Sequence, residues 1–210
     1  MEKILILNGS PRAPKSNSKR YAEIFMKHYP HEAVYRSVTP RNHLSLCQEI
    51  DYYTQVLFVF PLYADALPSG FLQFLKTLEA YPPARKPLIS ILINCGFLEH
   101  EQNEVAIRMI QLFCRRNGYS MGSILMLGSG EAILNTPFKY IATRKIRQLA
   151  QSIASGHYRT LTGTMPLSKT LFRMAAEVYW TRYGKRFGTS KRQMQTMEIE
   201  KTRLSQGVVQ

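Results

Sequence analysis

The stretch Ile4-Leu5-Ile6-Leu7-Asn8-Gly9-Ser10-Pro11-Arg12-Ala13-Pro14-Lys15-Ser16-Asn17-Ser18 decides how this chain is read. Four consecutive apolar residues without polar alternation read as a strand buried on both faces. Asn8-Gly9-Ser10-Pro11 breaks that run, and Tyr21, Ile24, Phe25 and His28 then fall at i, i+3, i+4 and i+7, the spacing of a helix with one apolar face. A helix N-terminus fed by such a loop offers unsatisfied N–H groups and positive dipole potential. Ser10, Ser16 and Ser18 add hydroxyls, and Arg12 or Lys15 adds charge. On its own, Ser16 or Asn17 is an ordinary helix cap. The position directly after a first buried strand is what favours an anion site. The loop has neither the G-x-x-x-x-G-K-[ST] of a P-loop nor the G-x-G-x-x-G of a dinucleotide fold.

Outward from this unit the same alternation continues. Glu32–Val38 reads as a weaker second strand, Thr39–Tyr53 as an irregular connection with a possible helical turn, and Val56–Phe60 as a central strand ended by Pro61. Pro68–Ala80 carries Phe71, Leu72, Leu75 and Leu78 at helical spacing, and Leu88–Ile93 is a fourth buried strand. A helix from about Glu101 ends on Arg115, Arg116 and a capping Gly118. Met121–Leu127 is a fifth strand, and a further helix runs from about Pro137 to Gly156. Five buried strands joined by crossovers of helical length imply an α/β protein, a doubly wound parallel sheet covered on both faces. In such sheets ligands bind beyond the carboxyl ends of the strands, where the order reverses.

Two further loops share that edge: Pro61-Leu62-Tyr63-Ala64-Asp65-Ala66-Leu67-Pro68-Ser69 and Asn94-Cys95-Gly96-Phe97-Leu98-Glu99. A planar, electron-accepting ring needs flat neighbours and amides at its polar edge, which these loops can supply. Tyr63 taken alone reads equally as a core aromatic, and Cys95 as a small packing residue or a redox-sensitive thiol. Gly128-Ser129-Gly130 reads as a turn, since Ile133 stands where a third dinucleotide glycine belongs. The five histidines have no ligand spacing, so no metal site is expected, and no nucleophile elbow occurs.

At these three loops the sequence resembles the flavodoxin-like NAD(P)H-dependent FMN reductases and their quinone-reductase relatives, over roughly residues 1–156. The resemblance rests on the first strand with Gly9-Ser10-Pro11-Arg12, on Ser16-Asn17-Ser18, on Pro61-Leu62-Tyr63 with Leu67-Pro68-Ser69, and on Gly96. It implies a flavodoxin-like five-stranded sheet in the order 2-1-3-4-5 and an FMN cofactor reduced by NAD(P)H. Hydride would pass on to a quinone-like, azo, nitro or flavin acceptor. By the same resemblance Ser10, Arg12, Ser16, Asn17 and Ser18 would hold the phosphate, and Pro61, Leu62 and Tyr63 would flank the ring. Asn94, Cys95 and Gly96 would contact the ring's edge, with the flavin near a homodimer interface. The chain departs from many members in reading Ser16-Asn17-Ser18 for Gly-Asn-Thr and Asn94-Cys95 for a Thr- or Gly-rich turn. No catalytic acid or base from the chain is expected, because the chemistry is the cofactor's.

The 210 residues suit one domain with an elaboration, and the apolar runs are too short to span a bilayer. No signal-peptide core follows Lys3, and the three scattered cysteines suggest free thiols, so a cytoplasmic protein is expected. Charge is uneven. Residues 1–136 hold 14 basic and 11 acidic side chains, whereas residues 137–210 hold 14 basic and 3 acidic. The surplus favours anionic partners and points toward NADPH through its extra phosphate. Residues 157–210 are expected to form a basic helical extension with a tail mobile beyond about Arg203. Pro166–Phe187 patterns as a helix with an apolar stripe edged by basic residues. It suits either an appendage packed on the protein or a helix lying on an anionic membrane. Nothing reads bases, so nucleic acid is not an expected partner. Two other readings stay open: a one-electron carrier, and a flavodoxin-fold protein with weak or lost FMN binding that acts through its basic surface.

Overall fold

The structure, a computed structural model, describes residues 3–13 and 15–196. The expected mobile tail beyond Arg203 lies outside those residues. The elements run β1 (Lys3–Asn8), α1 (Asn17–His28), β2 (Glu32–Ser37), α2 (His43–Ile50), β3 (Gln55–Pro61), α3 (Ser69–Ala80) and β4 (Leu88–Asn94). They continue with α4 (Glu104–Asn117), β5 (Met121–Leu127), α5 (Lys139–Ala154), β6 (Thr160–Gly163), α6 (Lys169–Lys185) and α7 (Lys191–Met194). All strand pairs are parallel, in the order β2-β1-β3-β4-β5-β6. The chain reverses direction across the sheet between β1 and β3, so the loops after these strands border the crevice.

The sheet departs from expectation at one edge, where it has six strands rather than five. Thr160-Leu161-Thr162-Gly163 pairs with Ile124–Leu127 of β5. One exposed and three half-buried residues at an edge bury too little apolar surface to give a readable run, which is why the segment passes for loop. One compact unit spans the described residues up to 165, and a second the described residues 166–196. The irregular connection after β2 contains a full helix, α2, whose Leu46, Cys47 and Ile50 are buried. A 3-10 turn over His100–Asn103 precedes α4, and Gly118 closes α4 in the left-handed conformation at φ 70°.

The core beneath the binding edge is aromatic. Phe71 of α3 stacks on Phe60 with centroids 5.0 Å apart and meets Phe58 edge-on at 5.1 Å, and Phe74 extends the cluster. These rings fix the β1 loop from below. A Cβ on Gly9 would sit 2.5 Å from the Phe71 ring, while the Gly9 N–H donates to the Val59 carbonyl at 2.9 Å. Glycine is required here by the packing of α3 against the strand end.

Candidate functional site

The loop after β1 is organised by Asn8, a fully buried residue at the strand's end. Its side-chain Nδ2 donates to Tyr35 Oη at 2.8 Å and to Ser16 Oγ at 3.3 Å, and its Oδ1 accepts from the Ser10 N–H at 2.9 Å. One amide thus ties both ends of the loop to β2. Ser10 Oγ accepts from the Arg12 N–H at 3.3 Å, and Ser16 Oγ caps α1 by accepting from the Lys19 N–H at 3.1 Å. Ser16 has φ −124° and ψ 153°, ordinary extended values for a cap, so this position needs no glycine. In the first turn of α1 the N–H groups of Asn17 and Ser18 have no intrahelical acceptor.

The expected phosphate residues divide into two sets. Arg12 is exposed, and Ser16 and Asn17 are half-buried at the mouth of the loop. The Ser10 and Ser18 side chains are buried. The Ser18 hydroxyl accepts from Asn94 Nδ2 at 3.3 Å, which ties α1 to β4. An anion already stands at the mouth. Glu131 places Oε1 3.6 Å from Arg12 Nη1 and Oε2 3.4 Å from Asn17 Nδ2, and Asn17 Nδ2 also donates to the Glu131 carbonyl at 3.0 Å. Arg20 holds Asn17 in place by donating to its Oδ1 at 3.0 Å.

Glu131 reaches this point because the turn after β5 folds tightly back toward α1. Ser129 adopts φ 55°. A Cβ on Gly128 would meet the Leu98 carbonyl at 2.5 Å, and one on Gly130 would meet Asn94 Cβ at 2.7 Å. Tyr21 Oη donates to the Gly130 carbonyl at 2.7 Å from a fully buried position. The reading of Gly128-Ser129-Gly130 as a turn thus matches the geometry, but the acidic residue it delivers goes unnoticed in sequence. The available signal was a lone carboxylate directly after the fifth strand's turn.

The second and third walls lie side by side, because β3 pairs with β4 and the Leu62 N–H donates to the Asn94 carbonyl at 2.7 Å. Tyr63 and Ala66 exchange two backbone hydrogen bonds at 3.1 and 2.9 Å across a two-residue turn. Its central residues, Ala64 at φ 45° and Asp65 at φ 55°, occupy the left-handed region that such a turn demands and glycine usually fills. The strained turn holds Tyr63 with 40% of its surface exposed, which excludes the core-aromatic reading. Pro61 and Leu62 are half-buried beside it.

Asn94 and Cys95 face inward. Asn94 Nδ2 also donates to the Phe60 carbonyl at 3.2 Å, so this amide pins β3, β4 and α1 together. The Cys95 N–H donates to the Leu127 carbonyl and its carbonyl accepts from the Gly130 N–H. Its thiol lies 3.5 Å from both the Glu99 carbonyl and Asn103 Nδ2, and burial pushes its pKa up. It stays protonated at neutral pH and packs as a small apolar group. Gly96 is exposed, and a Cβ there would meet nothing within 4 Å. Among the described residues, no group of three or more His, Cys, Asp or Glu could hold a metal ion.

A parallel sheet in the order 2-1-3-4-5, crevice loops after β1, β3 and β4, and helices on both faces define the flavodoxin-like fold. By sequence the chain matches no family model and no curated protein. Solved structures share its fold. An NAD(P)H:quinone oxidoreductase from Methanothermobacter marburgensis is 14% identical, matches over 72% of this chain and 96% of its own, and has a TM-score of 0.56. An FMN-dependent NADH-azoreductase from Bacillus anthracis, solved in complex with FMN, is 12% identical over 73% of this chain and 100% of its own, at 0.52. A flavodoxin from Streptococcus pneumonia TIGR4 is 12% identical over 74% and 99%, at 0.54.

Proposed function

We propose that the chain is an FMN-dependent oxidoreductase that takes hydride from a nicotinamide nucleotide and delivers it to a quinone-like, azo, nitro or flavin acceptor. One observation carries the reading: Arg12 of the β1 loop and Asn17, at the N-terminus of α1, already hold a carboxylate beside two further walls suited to a flat ring. A donor set that converges on one anion fits another, and a phosphate monoester brings more charge and a third acceptor oxygen. The open surface at Gly96 and the outward Tyr63 add to the fit, since neither is required by the protein's own packing.

In this reading Arg12, Asn17 and the first-turn N–H groups bind the phosphate, and Ser16 keeps that turn in register through its cap. Pro61, Leu62 and Tyr63 flank the ring and exclude water from one side of it. Asn94 acts as a positioning residue from beneath, because its amide fixes the relative height of the β3 and β4 loops. FMN supplies hydride acceptance and donation, so no proton-transferring side chain is needed. Glu131 must give way to the phosphate, which makes it the residue that limits affinity.

The test is the visible spectrum of the full chain titrated with FMN, followed by anaerobic NADPH or NADH. The expected result is a bound chromophore that bleaches on adding the nucleotide. Failure to bind FMN at concentrations on the order of tens of micromolar overturns the reading. Binding without bleaching leaves an electron carrier in its place.

A further inference from the structure

The unit formed by residues 166–196 has an unusual surface. Ser168 caps α6 by accepting from the Leu171 N–H, and Gly188 ends the helical stretch at φ 73°. Gly184, where a Cβ would meet Met194 Sδ at 2.6 Å, lets α7 fold back on α6. Only Gly184 is buried in the whole of α6. Leu171, Met174 and Val178, at i, i+3 and i+7, share one side of the helix and are each more than half exposed. Trp180, Tyr183 and Phe187 are exposed on the other side, with Phe187 at 70%. Cations are interspersed with them: Arg182 and Lys185 fall on the first side, Arg173 beside Trp180 on the second and Arg186 between the two, all exposed. Over residues 166–196 there are seven basic residues and one acidic, Glu177, which pairs with Lys191.

We propose that α6 is a membrane-surface helix that lies in the headgroup layer of an anionic bilayer. Among the described residues no helix is long and apolar enough to cross a bilayer. Lying at the boundary between headgroups and acyl chains, the helix offers its exposed apolar side chains to hydrocarbon. The long arginines and lysines extend to lipid phosphates, and Trp180 and the tyrosines occupy the level that amphipathic rings prefer.

Charge complementarity selects this occupant over a second copy of the chain. Two such surfaces face each other with seven cations and one carboxylate apiece. Nucleic acid fits less well. Tyr179, Trp180, Tyr183 and Phe187 pack on one another, Trp180 edge-on to both tyrosines, which leaves no row of open ring faces for bases. Leu171, Met174 and Val178 gain nothing from a phosphate backbone and much from hydrocarbon. The proposal does not rest on the flavin reading, although the two meet in one consequence: the protein would concentrate where apolar acceptors dissolve.

The experiment uses the full chain, with its single tryptophan, Trp180, as reporter. Vesicles of phosphatidylcholine alone are compared with vesicles holding about one third phosphatidylglycerol, at low and high salt. The expected result is co-sedimentation with the anionic vesicles only, a blue shift of Trp180 emission, and weakening with salt. Leu171→Gln/Met174→Gln/Val178→Gln and Tyr183→Gln/Phe187→Gln each keep the charge and lower vesicle affinity about tenfold or more. Far-UV circular dichroism and the thermal unfolding of residues 1–165 check that both variants fold. No sedimentation with anionic vesicles overturns the proposal. So does unchanged Trp180 emission with undiminished binding of both variants, which marks a purely electrostatic contact. A dimer that the variants dissolve without any vesicle binding identifies a second copy as the occupant. Tighter, variant-insensitive binding to duplex DNA at equal salt identifies a polyanion site.

Discussion

The two units of the chain treat the same kinds of residue in opposite ways. In residues 1–165 most large apolar side chains are packed into the core, and Asn8, Ser18 and Asn94, buried at the sheet edge, are hydrogen-bonded. In residues 166–196 the aromatic and aliphatic side chains lie open, between cations. A side chain's contribution to stability follows its burial, so the first unit carries the fold and the second carries surface chemistry. The largest expected contrast is between two phenylalanines. Phe71→Ala, at 1% exposure in the aromatic stack, costs about 3–5 kcal/mol. Phe187→Ala changes stability by less than about 0.5 kcal/mol. Denaturant titration of both variants checks this, and comparable losses would break the division between the units.

Within the first unit the sheet edge depends on one amide. Asn94→Ala leaves the Ser18 hydroxyl and the Phe60 carbonyl without their donor in a buried setting, an expected loss of about 1–3 kcal/mol by chemical denaturation. FMN affinity in the same variant separates the amide's structural role from a ring contact, because a positioning residue lowers affinity along with stability.

Alkaline pH probes the same burial. Cys47 and Cys114 are pushed up to about 11 and about 12 by desolvation, from an ordinary 9.0. Burial favours the neutral thiol, so the folded state resists ionisation that the unfolded chain accepts. Stability is therefore fully present below pH about 9 and declines as pH rises from about 9 to 12. Replacing both cysteines with alanine flattens that decline, as unfolding curves across the range will show. In the native protein at neutral pH all three thiols are expected to resist alkylation, since each is buried.

Most of the sheet was legible because strands covered on both faces leave unbroken apolar runs, as Ile4–Leu7 and Val56–Phe60 do. The sixth strand escaped because Thr160–Gly163 is short and half-exposed, so only its pairing with β5 defines it. At the edge, loop positions followed from strand order, but the orientation of each side chain did not. Ser18 at the start of α1 and Cys95 in the β4 loop have their polar atoms turned inward, a choice made by partners on other elements, Asn94 and Asn103. Glu131 belongs to the same class. It meets Arg12 and Asn17 more than 110 positions away, through a contact between the β5 turn and α1 that no local pattern encodes.

Glu131 also gives a smaller, sharper test. Its carboxylate competes with any incoming phosphate for the same donors, so Glu131→Gln is expected to tighten FMN binding about two- to fivefold, the scale of an exposed charge pair. Fluorescence titration of FMN reads this directly, and weaker binding in the variant would make Glu131 a part of the site rather than a competitor.

The smallest effect concerns the turn that presents Tyr63. Ala64 at φ 45° carries a methyl group in a conformation that costs an L-residue about 1–2 kcal/mol, whereas glycine adopts it freely. Glycine also gives the unfolded chain more freedom, which takes back about 0.5–1 kcal/mol. Ala64→Gly is therefore expected to stabilise the first unit by about 0.5 kcal/mol, read as a small rise in denaturation midpoint. Both backbone bonds between Tyr63 and Ala66 survive the change, so Tyr63 keeps its place and FMN affinity should not move. A loss of affinity alongside the gain in stability would mean that a stiff turn at this edge holds the tyrosine against the ring, and that the strain is a working part of the site.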